Sequence, residues 1–312
     1  MRIRFSAAAA LVLAAGWLNA QETLPPGGAA ATAATAPAAA PSDSGESKPA
    51  APKRWLAPEG SLVVNLPSDQ ALSRGLLQFL VTHRFRGSVR GSNAHSLYSL
   101  DSGADFGFGF AYAPIERGEL SLYRSGIQDD WELAAKYAFV PPGHVFGAAL
   151  RVGGDDRRDP LVVTEAGGLL PGGKAKTSFF AQGVLSLHAW NNRIEVSAVP
   201  TYASRTTAER RAFNVPVHAA VALGRSWNLQ GEYQLQRKSV PDSIDIFTIG
   251  IEKTLYRHRF ALVVSNATVT TVDQYLSGDF AAARKRQGRP FDNGFRNNDW
   301  HIGFNLIRQF KP

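Results

Sequence analysis

Apolar and polar residues alternate with period two in segment after segment from about residue 75 onward, and Gly, Pro, Asn and Asp cluster between the segments. Successive side chains of a strand point to opposite faces, so this pattern demands strands. Twelve are predicted, near residues 75–86, 102–113, 117–126, 129–140, 143–153, 175–189, 192–204, 213–225, 228–238, 242–255, 258–270 and 298–310. The clearest runs Ala104-Asp105-Phe106-Gly107-Phe108-Gly109-Phe110-Ala111-Tyr112, with aromatics on the even positions and Gly and acid on the odd ones. Trp131, Leu133, Ala135, Tyr137 and Phe139 repeat the pattern against Glu132 and Lys136. A soluble sandwich would bury the aromatic face in a core, whereas a membrane barrel turns it to lipid. The stretch from Ile244 to Ile251 has apolar residues on both parities, which leaves open a bulge or a lumen-filling segment.

Connection lengths favour the barrel. Short links at 114–116, 141–142, 191, 226–227 and 257 alternate with mostly longer ones at 87–101, 154–174, 205–212, 239–241 and 271–297, with 126–128 as a short exception. Outer-membrane barrels segregate short turns and long loops to opposite ends in this way. Trp190, Trp227 and Tyr256 fall at the short-turn end and Trp131, Tyr202 and Trp300 at the other, as two aromatic girdles would. The expected fold is therefore all-β, a transmembrane antiparallel up-and-down β-barrel of about 12 strands spanning residues 59–312.

Composition removes several alternatives. The 312 residues include no Cys, which excludes a disulfide scaffold, a thiol enzyme and a Cys-ligated metal site. Mean hydropathy is slightly negative, which excludes a bundle of spanning helices but not strands, whose two faces average out. Arg2 and Arg4 precede an apolar run from Ala7 to Leu18 that closes on Leu18-Asn19-Ala20, so residues 1–20 read as a secretory signal peptide cleaved after Ala20. Residues 21–58 are rich in Ala and Pro, with too few large side chains to offset the entropy of ordering, and read as a disordered linker. Together these give a Gram-negative outer-membrane address.

Several blocks carry a family resemblance: Leu77 to Phe85 (LQFLVTHRF), Leu100 to Tyr112 (LDSGADFGFGFAY), Leu122 to Ser125 (LYRS), Trp131 to Phe139 (WELAAKYAF), Phe213 to Val217 (FNVPV), Thr270 to Phe280 (TTVDQYLSGDF) and Gly303 to Phe310 (GFNLIRQF). Found in this order over residues 60–310, they resemble the bacterial outer-membrane β-barrel family called domain of unknown function five-seven-seven-seven. The resemblance implies the barrel fold and the outer-membrane address, and carries no activity and no functional residue with it. The last strand, ending on Phe310, also resembles the terminal targeting signal of such barrels, with Lys311 and Pro312 as a departure.

No catalytic constellation stands out, and the chain is not read as an enzyme. A twelve-strand barrel of the outer-membrane phospholipase kind carries a His-x-Ser-Asn-Gly motif on a strand, and the nearest match here is Ser92-Asn93-Ala94-His95, reversed and in a loop. The seven His are scattered without ligand spacing, and Asp155-Asp156 and Asp273 read as solvated loop residues. Neither a metal nor a cofactor is implied. The basic run Arg284, Lys285 and Arg286 with Arg289 lies in the longest outer loop, where it either contacts lipopolysaccharide phosphates or is solvated. A secreted barrel meets no nucleic acid, despite a pI near 9.8.

By parity the inner wall carries Arg84, Asp105, Glu119, Glu132, Lys136, Arg151, Arg193, Glu195 and Glu232. Charges inside a barrel must pair or meet water, so two readings follow. In the first, the lumen is a porin-like path for small solutes, with Gly107 and Gly109 leaving space. In the second, the charges pair into a plug, and the barrel is a closed scaffold for a periplasmic or surface protein.

Overall fold

The computed structural model describes residues 61–311 except 90–91, 102, 160, 164–168, 172–173, 208–209, 236–244 and 279–299. The expected signal peptide and linker, and the basic residues Arg284, Lys285, Arg286 and Arg289, lie outside the described residues.

The alternating segments form strands β1 (Leu77–Phe85), β2 (Ala104–Ile115), β3 (Gly118–Ser125), β4 (Asp130–Ala138) and β5 (Phe146–Arg157). A small separate hairpin, β6 (Leu161–Val163) with β7 (Leu169–Pro171), sits within the next long connection. The barrel continues through β8 (Lys176–Ala189), β9 (Ile194–Ala198), β10 (Thr201–Ala203), β11 (Ala212–Asn214), β12 (Val217–Ala222), β13 (Trp227–Gln234), β14 (Ile246–Leu255), β15 (His258–Ser265) and β16 (His301–Phe310). Every pairing is antiparallel, and β1 pairs with both β2 and β16, with Leu77 opposite Phe310, so the sheet closes.

These fourteen segments make twelve staves. β9 and β10 are one stave interrupted at Pro200, and β11 and β12 are one interrupted at Pro216. Proline has no N–H to give a ladder, yet its carbonyl still accepts: Gly183 N–H donates to Pro200 O at 2.9 Å and Val199 N–H to Pro216 O at 2.8 Å. Pro114 marks a third irregularity, a register shift between β2 and β3. β14 pairs with β13 in unbroken register, so no bulge accounts for its mixed parity. Ile246 instead points inward and is fully buried, which leaves the lumen-filling reading.

Two faces follow from the alternation. Phe106, Phe110, Leu133, Phe179 and Leu185 point outward and are exposed, an apolar belt that no other element covers among the described residues. The interior is polar along the wall, yet contains apolar clusters, because two segments outside the staves enter it. From the tight-turn end, residues 61–72 thread inside as a strap ahead of β1, and Val63, Val64, Leu66 and Leu72 are buried. At the other end the connection after β15 turns inward, and its short helix α1 (Val272–Ser277) is buried along its whole length. This corrects the expectation of an outer loop across 271–297: its first seven residues are lumenal, because Val272, Tyr275 and Leu276 find apolar partners there.

The occluded lumen as candidate functional site

Parity decides which charges face inward, and the structure places eight of the nine expected wall residues there. Arg84, Asp105, Glu119, Glu132, Lys136, Arg151, Glu195 and Glu232 are all buried on their strands. Arg193 is the exception. It shares their parity but lies one residue before β9, in the turn after Trp190, and is exposed at the rim.

The wall charges hold the two inserted segments. Glu232 Oε1 accepts the backbone N–H groups of Val64, Asn65 and Leu66 at 2.9, 2.8 and 2.9 Å, a concave nest around one carboxylate. Asn65 Nδ2 donates to Oε2 of the same group at 3.0 Å. Arg84 reaches Asn65 Oδ1 at 3.2 Å and Asn305 Oδ1 at 2.8 Å. Glu119 accepts from Ser61 Oγ and from the Leu72 backbone, while Lys136 donates to the Ser61 and Gln70 carbonyls. Asp105, nearer the rim, takes Arg86 at 2.8 Å and raises the pKa of that guanidinium, chiefly through the hydrogen bond.

The helix is held by a second set. Glu132 pairs with Arg151 through one oxygen and accepts the Val272 N–H through the other at 3.0 Å. Asp130 accepts from Thr271 Oγ1 at 2.6 Å and Gln274 Nε2 at 2.9 Å. Arg157 Nε lies 2.7 Å from Asp273 Oδ2, with both side chains almost wholly buried. Asp130, Asp155 and Asp273 bring carboxylate oxygens within 4.8 Å of one another. Asp155 and Asp273 are therefore not solvated loop residues as expected: strand β5 extends to Arg157 and carries Asp155 inside, and α1 folds in with Asp273.

Gly107 and Gly109 do leave space, but a side chain takes it. A Cβ at Gly107 would lie 2.0 Å from the Tyr123 hydroxyl and one at Gly109 2.9 Å from Tyr123 Cδ2, so the two glycines form the slot into which that ring lies. The Tyr123 hydroxyl then bonds Thr82 at 2.6 Å and Thr270 at 2.8 Å, tying β3 to β1 and to the inward connection. Two cavities lie among the described residues: one of about 50 Å3 between strap, wall and helix, and one of about 200 Å3 at the tight-turn end beside Asp69 and His188.

Asp130, Arg157, Gln274, His188 and His218 are site residues that the sequence reading passed over. Asp130 lies within the expected strand 129–140 and shares the parity of Glu132, so parity alone could have found it, whereas Arg157 required β5 to run past residue 153; nothing in the local sequence announces that 61–72 or α1 enters the barrel. The reversed Ser92-Asn93-Ala94-His95 stretch forms no dyad: Asn93 Oδ1 accepts the His95 backbone N–H and Ser92 Oγ donates to Val89 O.

A closed twelve-stave barrel with an apolar exterior and a polar, segment-filled interior is a membrane β-barrel of the outer-membrane type. The chain belongs to the family described as membrane bound beta barrel domain (DUF5777), whose model matches residues 59–310. Among solved structures it is similar to the NanC porin, at 7% identity over 76% of this chain and 100% of that chain with a TM-score of 0.40. It is similar also to outer membrane phospholipase A from Escherichia coli (11% identity, 74% and 89% covered, TM-score 0.41) and to LpxR from Salmonella typhimurium (8%, 75% and 99%, TM-score 0.33). No curated protein matches the chain.

Proposed function

We propose that the protein is a gated outer-membrane channel for small polar solutes whose resting state is closed by the strap and by α1. The observation that supports this reading is how the wall is satisfied. Glu119, Glu232 and Asp130 accept largely from neutral N–H and O–H groups of the two inserted segments, and Glu132 divides its oxygens between Arg151 and the Val272 N–H. Water can replace such donors, so withdrawing a segment would return the wall to a hydrated state rather than strand bare charges. A lumen needed purely as filler would be cheaper to build from apolar side chains. The strap continues backward into the Ala/Pro-rich stretch, which lets a pull from the periplasm act on it. In this reading residues 1–20 are removed on export, the tight turns face the periplasm, and Arg284, Lys285, Arg286 and Arg289 meet lipopolysaccharide phosphates outside.

The second reading is a closed scaffold that conducts nothing and presents its rim to a periplasmic or surface protein. The deeply buried Arg157–Asp273 pair favours it, because such a pair is costly to open. Planar-bilayer recording separates the two. The full chain should show rare, brief steps, and a variant lacking residues 61–72 and carrying Asp273→Ala, which frees α1 as well, should show long-lived ones. Such a barrel that stays heat-modifiable yet never conducts would establish the scaffold.

A further inference from the structure

The seven histidines carry no ligand spacing along the chain, but barrel pairing supplies one across it. His188 on β8 and Glu195 on β9 are direct cross-strand partners. His218 on β12 pairs with Ser197, two residues along β9 and on the same inward face. Three adjacent staves thus present two imidazoles and a carboxylate to one spot in the lumen. The strap adds a fourth donor: Asp69 Oδ2 lies 2.8 Å from His188 Nε2.

This place is built for Asp69. A Cβ at Gly147 would sit 1.6 Å from its Oδ2, so the carboxylate occupies room that a glycine alone leaves. Oxygen and nitrogen donors of Asp69, His188 and Glu195 lie within 4.8 Å of one another, and all three residues are buried. His218 lies outside that 4.8 Å group: its Nε2 is 3.9 Å from Glu195 Oε1, in a ring that is 2% exposed and set against the backbone of Pro67 in the strap. A tetrahedral zinc with ligands at about 2.0–2.1 Å sets its donors roughly 3.3 Å apart. The two separations of 2.8 and 3.9 Å lie on either side of that spacing, and His218, outside the 4.8 Å group, must draw closer to Asp69 and His188 to complete the set. The cavity of about 200 Å3 that borders Asp69 and His188 gives a way in from the tight-turn end.

We propose that Asp69, His188, Glu195 and His218 form a binding site for a divalent transition metal, zinc by its donor set, that fastens the strap to the barrel wall. Two neutral imidazoles and two carboxylates balance one such ion. The same donors suit neither calcium nor magnesium, which take oxygen ligands. The site stands whether or not solutes pass, since binding is read without any conductance.

The test uses the untagged full-length barrel, purified in detergent, stripped with chelator and dialysed against zinc. One equivalent per chain is expected. Cobalt in its place should give the intense visible absorption of a four-coordinate ion. His188→Gln and His218→Ala should each weaken zinc binding at least tenfold, while His258→Ala, at the exposed start of β15, should leave it unchanged. Zinc should also raise the unfolding temperature of the wild-type barrel, a readout that needs no variant. If a His variant fails to assemble, Glu195→Gln takes its place. Absence of stoichiometric binding, six-coordinate cobalt alone, or equal affinity across the variants would overturn the site.

Discussion

Nε of Arg157 lies 2.7 Å from Oδ2 of Asp273, which joins strand β5 of the wall to the helix that fills the lumen. Asp130 and Asp155 bring carboxylate oxygens within 4.8 Å of those of Asp273, and Asp130 is the cross-strand partner of Arg157. The two halves of the pair are therefore unequal. Arg157→Gln leaves the acidic cluster uncompensated and should cost at the upper end of about 3–5 kcal/mol for breaking a buried pair. Asp273→Asn leaves Arg157 with Asp130 and Asp155 still near and should cost clearly less. Unfolding midpoints from heat-modifiable migration measure both, and equal losses would mean that the cluster does not act as a unit.

Glu232 is the main anchor of the strap. Charge-assisted hydrogen bonds contribute about 1.5–3 kcal/mol each, and this carboxylate accepts from three consecutive backbone amides. Glu232→Gln should loosen residues 61–72 while the staves stay paired. Limited proteolysis of the variant should cut within the strap well before the wild type is cut, with barrel migration unchanged. Equal resistance would show that Glu119 and Lys136 suffice to hold it.

Neighbours on β4 should respond differently to arginine. Ala135 faces lipid, where an arginine near mid-membrane costs about 2–4 kcal/mol, so Ala135→Arg should impair assembly. Ala134 faces inward but packs with Phe180, Val272 and Leu276. Ala134→Arg should assemble yet displace α1, lowering the unfolding temperature and exposing a cysteine placed at Ser277 to maleimide. Failure of both variants to assemble would contradict the facing assignment.

Deleting residues 21–53 should leave assembly and heat-modifiable migration intact, since this Ala/Pro-rich stretch has too few large side chains to supply a strand or a core. Loss of the folded band would make that stretch part of the fold.

Most of the barrel was legible because each stave carries its own record. Alternation at Phe106 to Tyr112 or Trp131 to Phe139 is set by lipid on one side and polar wall on the other, and needs no distant partner to be read. All twelve expected strands have counterparts, and the long and short connections alternate as expected. The contents of the lumen were not legible. Ser61 to Leu72 has no periodicity, and Val272 to Ser277 is too short for a helical one, so what places them is contact with wall groups far away in sequence: Glu232 lies 168 residues from Val64. The same holds for His188 and His218, which share a face through the register of β8, β9 and β12. Gly107 and Gly109 show the limit most plainly: their small size was visible, but the Tyr123 ring that fills the gap was not.

Conductance of the barrel with and without its strap tests the gating account most directly. Purified full chain in a planar bilayer should be closed nearly all the time. A variant lacking residues 61–72 and carrying Asp273→Ala, shown by heat-modifiable migration to be assembled, should open in long, uniform steps. Silence from that assembled variant would contradict gating and leave a barrel that never conducts.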